Sequence, residues 1–479
     1  MALSRIAKQD WGAPYKYARQ LFTAVIAART DYAAIVWHRP KDDNKIANTM
    51  QARKLTTIQR LAMKAIIGCF KTAPTAALEI ETGLQPTWLR LQSKVLCATT
   101  RMQTLSSKHP LQAWLAEAMR TRTACTCHQS NLENILQQFP YMTESIETIE
   151  PYIRPPWWTS KLNINVRPTK TEAKNLHDKM QENTSPTTVP IYTDGSGIAN
   201  KIGAALYNSS TNEAAHQHLG KDTKYNVFAA EVTGLQMVAQ YLHDESKCMT
   251  SNIYTDSQAA IKAINNPCRQ SGQAIIKDFL DCTDDIMEAK PQQQITITWI
   301  PGHAEIQGNE RADAEAKKAA MNPGISQPFK HKPLKSARIQ YIKNSVKEQW
   351  SKQWNQHTQT SNFLRRLTKR RDFKVGPKLY NALPNRTTVA TIVQLRTGHC
   401  GLNKYLHSIG ATHSPYCECG YGKETVEHYL LECNKYRDQR KRMRLELKKG
   451  KMTVARLLGD PKAIKHTMKY VKETARLER

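Results

Sequence analysis

No run of about 18 apolar residues occurs in this chain of 479 residues, so no segment is expected to span a bilayer as a helix. The opening MALSRIAKQDW lacks the unbroken apolar core of a secretory leader. No internal repeat with a period of about 20–50 residues is visible, which excludes solenoids and propellers. The cysteines number 11, an odd count at irregular spacing. That pattern argues against a disulfide framework and fits a reducing, intracellular compartment with free thiols or a metal site. Nucleus and cytoplasm both stay open.

Acidic residues are the largest deficit: 41 Asp and Glu against 70 Lys and Arg, a formal charge of +29. The imbalance is uneven. Residues 1–187 hold about 25 basic against about 14 acidic residues, 188–334 about 13 against 16, and 335–479 about 32 against 11. Basic flanks around a slightly acidic centre predict a polyanion, and nucleic acid above all, held by the flanks. A solvated, solubilising surface is the plainer reading of the same charge. The runs RRLTKRRDFK and RKRMRLELKKGK read as RNA-binding, with nuclear signals as the alternative.

The length predicts two to four domains. Residues 1–139 read as a helical segment, because LFTAVIAARTDYAAIVW and KLTTIQRLAMKAIIGCF place apolar residues three and four apart. Residues 140–187 are rich in Pro, Thr and polar residues and read as a linker. Residues 188–320 alternate strands with helices. A second linker, 321–340, leads to a basic, mostly helical tail at 341–479.

Within the central segment, VPIYTD, IGAALYN and AAHQHLG read as three strands joined by turns. The amphipathic helix FAAEVTGLQMVAQYLHDE follows, then a strand NIYTD, two helices, a strand QITITWI and a last helix GNERADAEAKKAA. This order predicts an α/β fold: a five-stranded mixed sheet with parallel central strands and helices on both faces. Such sheets bind ligands at the carboxyl ends of their strands. The tetrapeptide Ile-Tyr-Thr-Asp occurs twice, at 191–194 and 253–256. If the two strands lie side by side and parallel, Asp194 and Asp256 emerge at one edge.

TDGSG, an Ala-Ala-Glu inside the next helix, TDSQ and WIPGHAEIQGNERAD, in this order, resemble the type 1 ribonuclease H pattern. The resemblance assigns the family's four acids to Asp194, Glu231, Asp256 and Asp313, and its mobile-loop histidine to His303. It implies hydrolysis of the RNA strand of an RNA–DNA hybrid with two Mg²⁺ ions, for which Mn²⁺ can substitute in the family. The chemistry is consistent: two hard cations about 4 Å apart activate a water and stabilise the leaving oxygen, and carboxylates are their natural ligands. Each acid also has a plainer role. Asp194 could belong to a turn, Asp256 to a helix start, and Asp313 could complement a helix dipole. Glu231, among apolar helix neighbours, is costly unless paired or metal-bound. Gly195, Ser196, Asn226, Ser257, Gln258 and Asn309 are candidates for reading the 2′-hydroxyls that mark RNA. Between NNPCRQSG and the next helix there is no room for the extra basic helix that grips substrate in bacterial members of the family.

In the tail, Cys417-x-Cys419, His428 and Cys433 have the spacing and donor types of a tetrahedral Zn²⁺ site. Buried free thiols are the alternative. His399 and Cys400 are alternative ligands, and Cys125 to His128 reads as incidental. The whole tail, from LRTGHCGLNKYLHSIG onward, resembles the C-terminal end of polyproteins of non-LTR retrotransposons, especially fungal ones. KLTTIQRLAMKAIIGCFKTAPTAALEIETGLQP is similar to the segment that joins reverse transcriptase to ribonuclease H in those elements. The resemblance implies RNA and a reverse transcriptase as partners. No Phe/Tyr-x-Asp-Asp polymerase motif is present. A catalytically silent, nucleic-acid-binding remnant is the rival expectation.

Overall fold

A computed structural model describes residues 2–8, 11–41, 50–120, 129–183, 185, 187–244, 250–356, 362–367, 375–381, 383, 385–447 and 450–477. The chain divides into two compact units, Leu96–Asn344 and Met1–Val95 with Ser345–Arg479. No helix among the described residues is long and apolar enough to cross a membrane.

The unit Leu96–Asn344 takes in the end of α1 (Thr87–Gln103), then β1 (Asn163–Asn165), α2 (Lys170–Glu182), β2 (Thr188–Ile198), β3 (Lys201–Asn208), β4 (Glu213–Lys221) and α3 (Val227–Asp244). It continues with β5 (Thr250–Thr255), α4 (Gln258–Asn265), α5 (Gln273–Ala289), β6 (Gln294–Trp299), α6 (Gln307–Met321) and the first turns of α7 (Lys335–Gln356). The strand order is β1-β6-β5-β2-β3-β4. Strands β2, β3 and β4 pair antiparallel, whereas β2, β5, β6 and β1 run parallel. The five expected strands are present, and the segment expected to be a linker adds a sixth at the edge. The same segment forms α2, whose helical period is hard to see because its buried positions include Ala173 and His177.

One face of the sheet packs on α3 and α5 through Leu235, Val238, Leu242, Phe279, Ile253 and Ile297, all fully buried. Removing a side chain such as Phe279 from water contributes about 1.5–3 kcal/mol. On the other face, Tyr192 and Tyr254 stack with ring centroids 4.9 Å apart. His177 of α2 covers them, its Nε2 lying 2.9 Å from the Tyr192 hydroxyl. Helix α6 lies close on β3, because a Cβ at Gly203 would stand 2.7 Å from the Ala316 carbonyl oxygen.

In the other unit the N-terminal helices and the basic tail share one core. Tyr15, Phe22, Met63 and Ile66 belong to the same cluster as Ile392, Tyr429, Leu457 and Tyr470. The sequence pattern had suggested two separate flanks. Apolar spacing identifies a helix's buried face but not the distant segment that covers it. Two tail arginines are structural. Arg396 is fully buried against Glu81 at 2.9 Å, and its Nη1 donates to the Leu458 carbonyl at 2.7 Å. Arg386 donates to the backbone carbonyls of Lys8, Ala13 and Ala65.

Candidate active site and a candidate metal site

Strands β2 and β5 pair with Ile191 opposite Ile253, Tyr192 opposite Tyr254 and Thr193 opposite Thr255. The repeated tetrapeptides therefore lie in register. Asp194, inside β2, and Asp256, just past β5, follow at the same end of this pairing. Glu231 arrives from the second turn of α3, which β2 approaches closely: a Cβ on Gly195 would lie 2.6 Å from the Glu231 nitrogen. Glycine at 195 lets the strand and the helix meet there.

Carboxylate oxygens of Asp194, Glu231 and Asp256 lie within 4.8 Å of one another. Asp194 and Glu231 are each only 7% exposed. Burial, then the carboxylates of Asp256 and Asp313, pushes Asp194 up to about 7. Burial, then Asp194 and Asp256, drives Glu231 well above the usual carboxylate range. Asp256 is raised by burial as well, while His303 pulls it down and Asp313 pushes it up. Glu231 Oε2 is buried with no hydrogen-bond partner. Hard oxygen donors, crowded together and with one oxygen orphaned, fit a divalent cation.

The other expected residues are distributed around this cluster. Asp313 on α6 is outside the three-residue group and forms an ion pair with Lys317, one turn on. His303 is exposed in the loop between β6 and α6, at φ 55°, and Glu305 follows at φ 60°. Lys174 of α2 donates to the Ala304 carbonyl of this loop at 2.9 Å. Gly195 and Ser196 are buried beside the acids, and Gln258 opens α4. Ser257 caps α4 by accepting from the Ala260 nitrogen. Asn226 caps α3 through Ala229 and donates to Ser336 Oγ at 3.0 Å. Both side chains thus have structural work. Asn309 is buried, and its Oδ1 has no partner. Lys317 and Lys174 were not among the expected site residues. The four-residue spacing of Asp313 and Lys317 was a signal for the first, while nothing local pointed to the second.

The other unit brings Cys417, Cys419, His428 and Cys433 together, with one ligand atom from each within 4.8 Å of the rest. The Cys417 and Cys433 sulfurs are 3.6 Å apart, and Cys419 Sγ lies 3.3 Å from His428 Nε2. A tight turn makes this arrangement: the Cys417 nitrogen donates to the Gly422 carbonyl, and Gly420 and Gly422 take φ of 80° and 135°. His399 and Cys400 are elsewhere. The Cys400 sulfur faces its own turn at Gly398, and His399 packs on Tyr405. Cys125 to His128 lies outside the described residues, as does the stretch 368–374 of the first basic run.

Residues 186–321 match the family model described as RNase H, and the chain carries that domain. A retrovirus-related Pol polyprotein from the type-1 retrotransposable element R1 2 of Nasonia vitripennis is 26% identical over 145 residues, covering 30% of this chain and 34% of that protein. The corresponding R1 polyprotein of Bradysia coprophila is 46% identical over 44 residues, 9% of this chain and 4% of that protein. The chain thus spans about a third or less of these relatives. Among solved structures, RNase H1 from Halobacterium salinarum NRC-1 aligns at 19% identity over 28% of this chain and 96% of its own, with a TM-score of 0.22. LC11-RNase H1, isolated from compost, aligns at 17% identity over the same shares, with a TM-score of 0.23.

Proposed function

We propose that this protein is a Mg²⁺-dependent endoribonuclease that cuts the RNA strand of RNA–DNA hybrids as part of a retrotransposon-derived Pol protein. The observation that carries the reading is the cluster of three carboxylates with oxygens within 4.8 Å of one another, two of them buried and Glu231 Oε2 unpartnered. Asp194, Glu231, Asp256 and Asp313 would hold two divalent ions, Mg²⁺ or Mn²⁺, which supply an activated water and charge stabilisation at the leaving oxygen. Asp194, with carboxylate oxygens within 4.8 Å of those of Glu231 and Asp256, would help hold the ions. Asp313 gives up Lys317 to take part. His303, exposed on its loop, accepts or returns a proton and helps product leave. Gly195, Ser196, Gln258 and Asn309 border the acids and are the residues suited to read 2′-hydroxyls. Asn226 and Ser257 act there only if they release their capping bonds.

Asp194→Asn should abolish cutting of the hybrid's RNA strand while plain DNA and RNA duplexes remain uncut by both proteins. Undiminished activity of this variant removes the metal assignment.

We also infer that Cys417, Cys419, His428 and Cys433 hold one Zn²⁺, because three sulfurs and one imidazole nitrogen are the donor set of a closed structural site. Metal analysis of the full chain should find one zinc per molecule and none in Cys419→Ser. A reverse transcriptase partner, supplied in the same polyprotein or separately, follows from the polyprotein reading.

A further inference from the structure

Three segments of the unit Leu96–Asn344 meet around one buried carboxylate outside the acid cluster. Glu147, 4% exposed, accepts from the Ser271 hydroxyl, from the Gly272 nitrogen at 2.8 Å and from the Lys335 nitrogen at 2.7 Å. It thereby ties the loop 266–272, between α4 and α5, to the start of α7. The Ser336 nitrogen donates to Ser271 Oγ at 3.0 Å, which doubles the tie. The end of α1 joins them. Arg338 of α7 donates to Gln103 Oε1, and the Ile149 nitrogen donates to the Thr104 carbonyl.

Each segment brings a cation. Arg101 on α1 and Arg269 on the loop are exposed. Neither forms an ion pair among the described residues. Lys335, at the start of α7, is half-buried. Burial lowers its pKa; Glu147 opposes that, and the nearby Arg269 and Arg101 add to it. The one carboxylate in the middle spends its oxygens on three hydrogen bonds. Three cations gathered around a single carboxylate leave a net positive surface, which a polyanion would neutralise.

The place of this group relates it to the acids. Asn226, the cap of α3, donates to Ser336 Oγ. Glu231 lies five residues further along α3, roughly 7–8 Å at the helical rise of 1.5 Å per residue. A duplex carries one charge per ~1.7 Å of its axis, so several phosphates lie within such a distance of the cut.

We propose that Arg101, Arg269 and Lys335 form a phosphate-binding surface that grips the backbone of the nucleic-acid duplex beside the acid cluster. The proposal rests on the ribonuclease reading for its substrate. Arg101 and Lys335 lie outside the residues matched to the RNase H family and Arg269 inside them, so this chain's flanking segments supply two of the three cations.

Binding of a labelled RNA–DNA hybrid tests it, with the full chain in an Asp194→Asn background and a salt series from about 50 to 200 mM. Each phosphate contact contributes about 0.9 to the slope of log affinity against log salt, so Arg101→Gln, Arg269→Gln and Lys335→Gln together should reduce it by about 2.7. The double variant of the two exposed arginines, which leaves the buried ties intact, should reduce it by about 1.8. Lys161→Gln, Lys170→Gln and Lys179→Gln remove three exposed charges elsewhere in the unit and should leave the slope unchanged. An unchanged slope in the double variant, or an equal loss in the control, overturns the proposal. Because no cutting is needed, this outcome is separate from that of the ribonuclease reading: a wild-type chain that binds hybrid through these cations but never cuts it refutes only the latter. In the cutting-competent chain the double variant should raise KM with kcat preserved, whereas a merely structural role would lower kcat as well.

Discussion

At the scale of single residues, buried carboxylates outside the active site have their own consequences. Glu79 is 7% exposed, and burial, only partly offset by Arg90, pushes it up to about 8 from an ordinary 4.5. Its folded-state value is the higher one. Its contribution to stability is therefore fully present below about 4.5 and is lost as pH rises through about 8. Glu79→Gln should match the wild type in urea unfolding near pH 4.5 and exceed it at pH 8.5. The gain is on the order of a few kcal/mol, since each tenfold change in an ionisation constant is worth about 1.36 kcal/mol. A gain that is the same at both pH values would mean that charge is not its origin. The acids of the candidate active site were legible through their motifs: Asp194 and Asp256 end the repeated tetrapeptides, Glu231 interrupts an apolar helix face, and Asp313 belongs to WIPGHAEIQGNERAD. Arg386 and Arg396 were not. They count toward the tail's charge, yet their guanidinium groups are spent inside the protein on carbonyls and on Glu81. Charge counts cannot distinguish a buried arginine from one waiting for phosphate.

At the scale of elements, the register of β2 and β5 was written into the repeated tetrapeptide, whereas β1 and α2 were hidden. β1 is three residues long. α2 buries Ala173 and His177 rather than a stripe of large aliphatics, so its period reads as polar. Its role is nevertheless specific: His177 covers the stacked Tyr192 and Tyr254, and Lys174 tethers the loop that carries His303. A fragment limited to residues 186–321 keeps every candidate catalytic acid but uncovers both tyrosines. It should unfold at lower urea than a fragment of residues 140–344, and it should bind an apolar dye that the longer piece does not. Cutting by the longer fragment should exceed that by the shorter. Equal midpoints for the two fragments would show that α2 and β1 contribute nothing to the nuclease fold. The association of the N-terminal helices with the tail was illegible for a related reason. Residues such as Phe22 and Tyr470 share one core across most of the chain's length, and Tyr15 packs on Tyr380, but no local pattern encodes a partner at that separation.

At the scale of the whole molecule, each compact unit has its own core and its own candidate metal site, and the donors differ in kind. The unit Leu96–Asn344 offers carboxylate oxygens, which suit Mg²⁺. The other offers three sulfurs and one imidazole, which suit Zn²⁺. A ligand that binds only the folded state stabilises by RT ln(1 + [L]/Kd), about 2.7 kcal/mol at 100 times Kd. Structural zinc should act more strongly, because Cys417 and Cys433 are part of the unit's core cluster and not a surface appendage. Thermal unfolding of the full chain should therefore respond to the two metals separately. A zinc-selective chelator should lower the melting of the helical unit and leave the signal of the nuclease unit in place. Mg²⁺ should raise the nuclease unit's melting alone, and that increase should vanish in Asp194→Asn, where one of the clustered carboxylates is gone. Even without metal, Asp194→Asn should melt higher than the wild type at pH 8, since it removes a carboxylate whose charged form burial, then Asp256 and Asp313, disfavour. The fluorescence difference between the wild type and Trp299→Phe can report the nuclease unit, because the Trp299 indole donates to the Asp256 carbonyl. A single transition that zinc removal and magnesium addition shift alike would mean that the two units melt as one cooperative body.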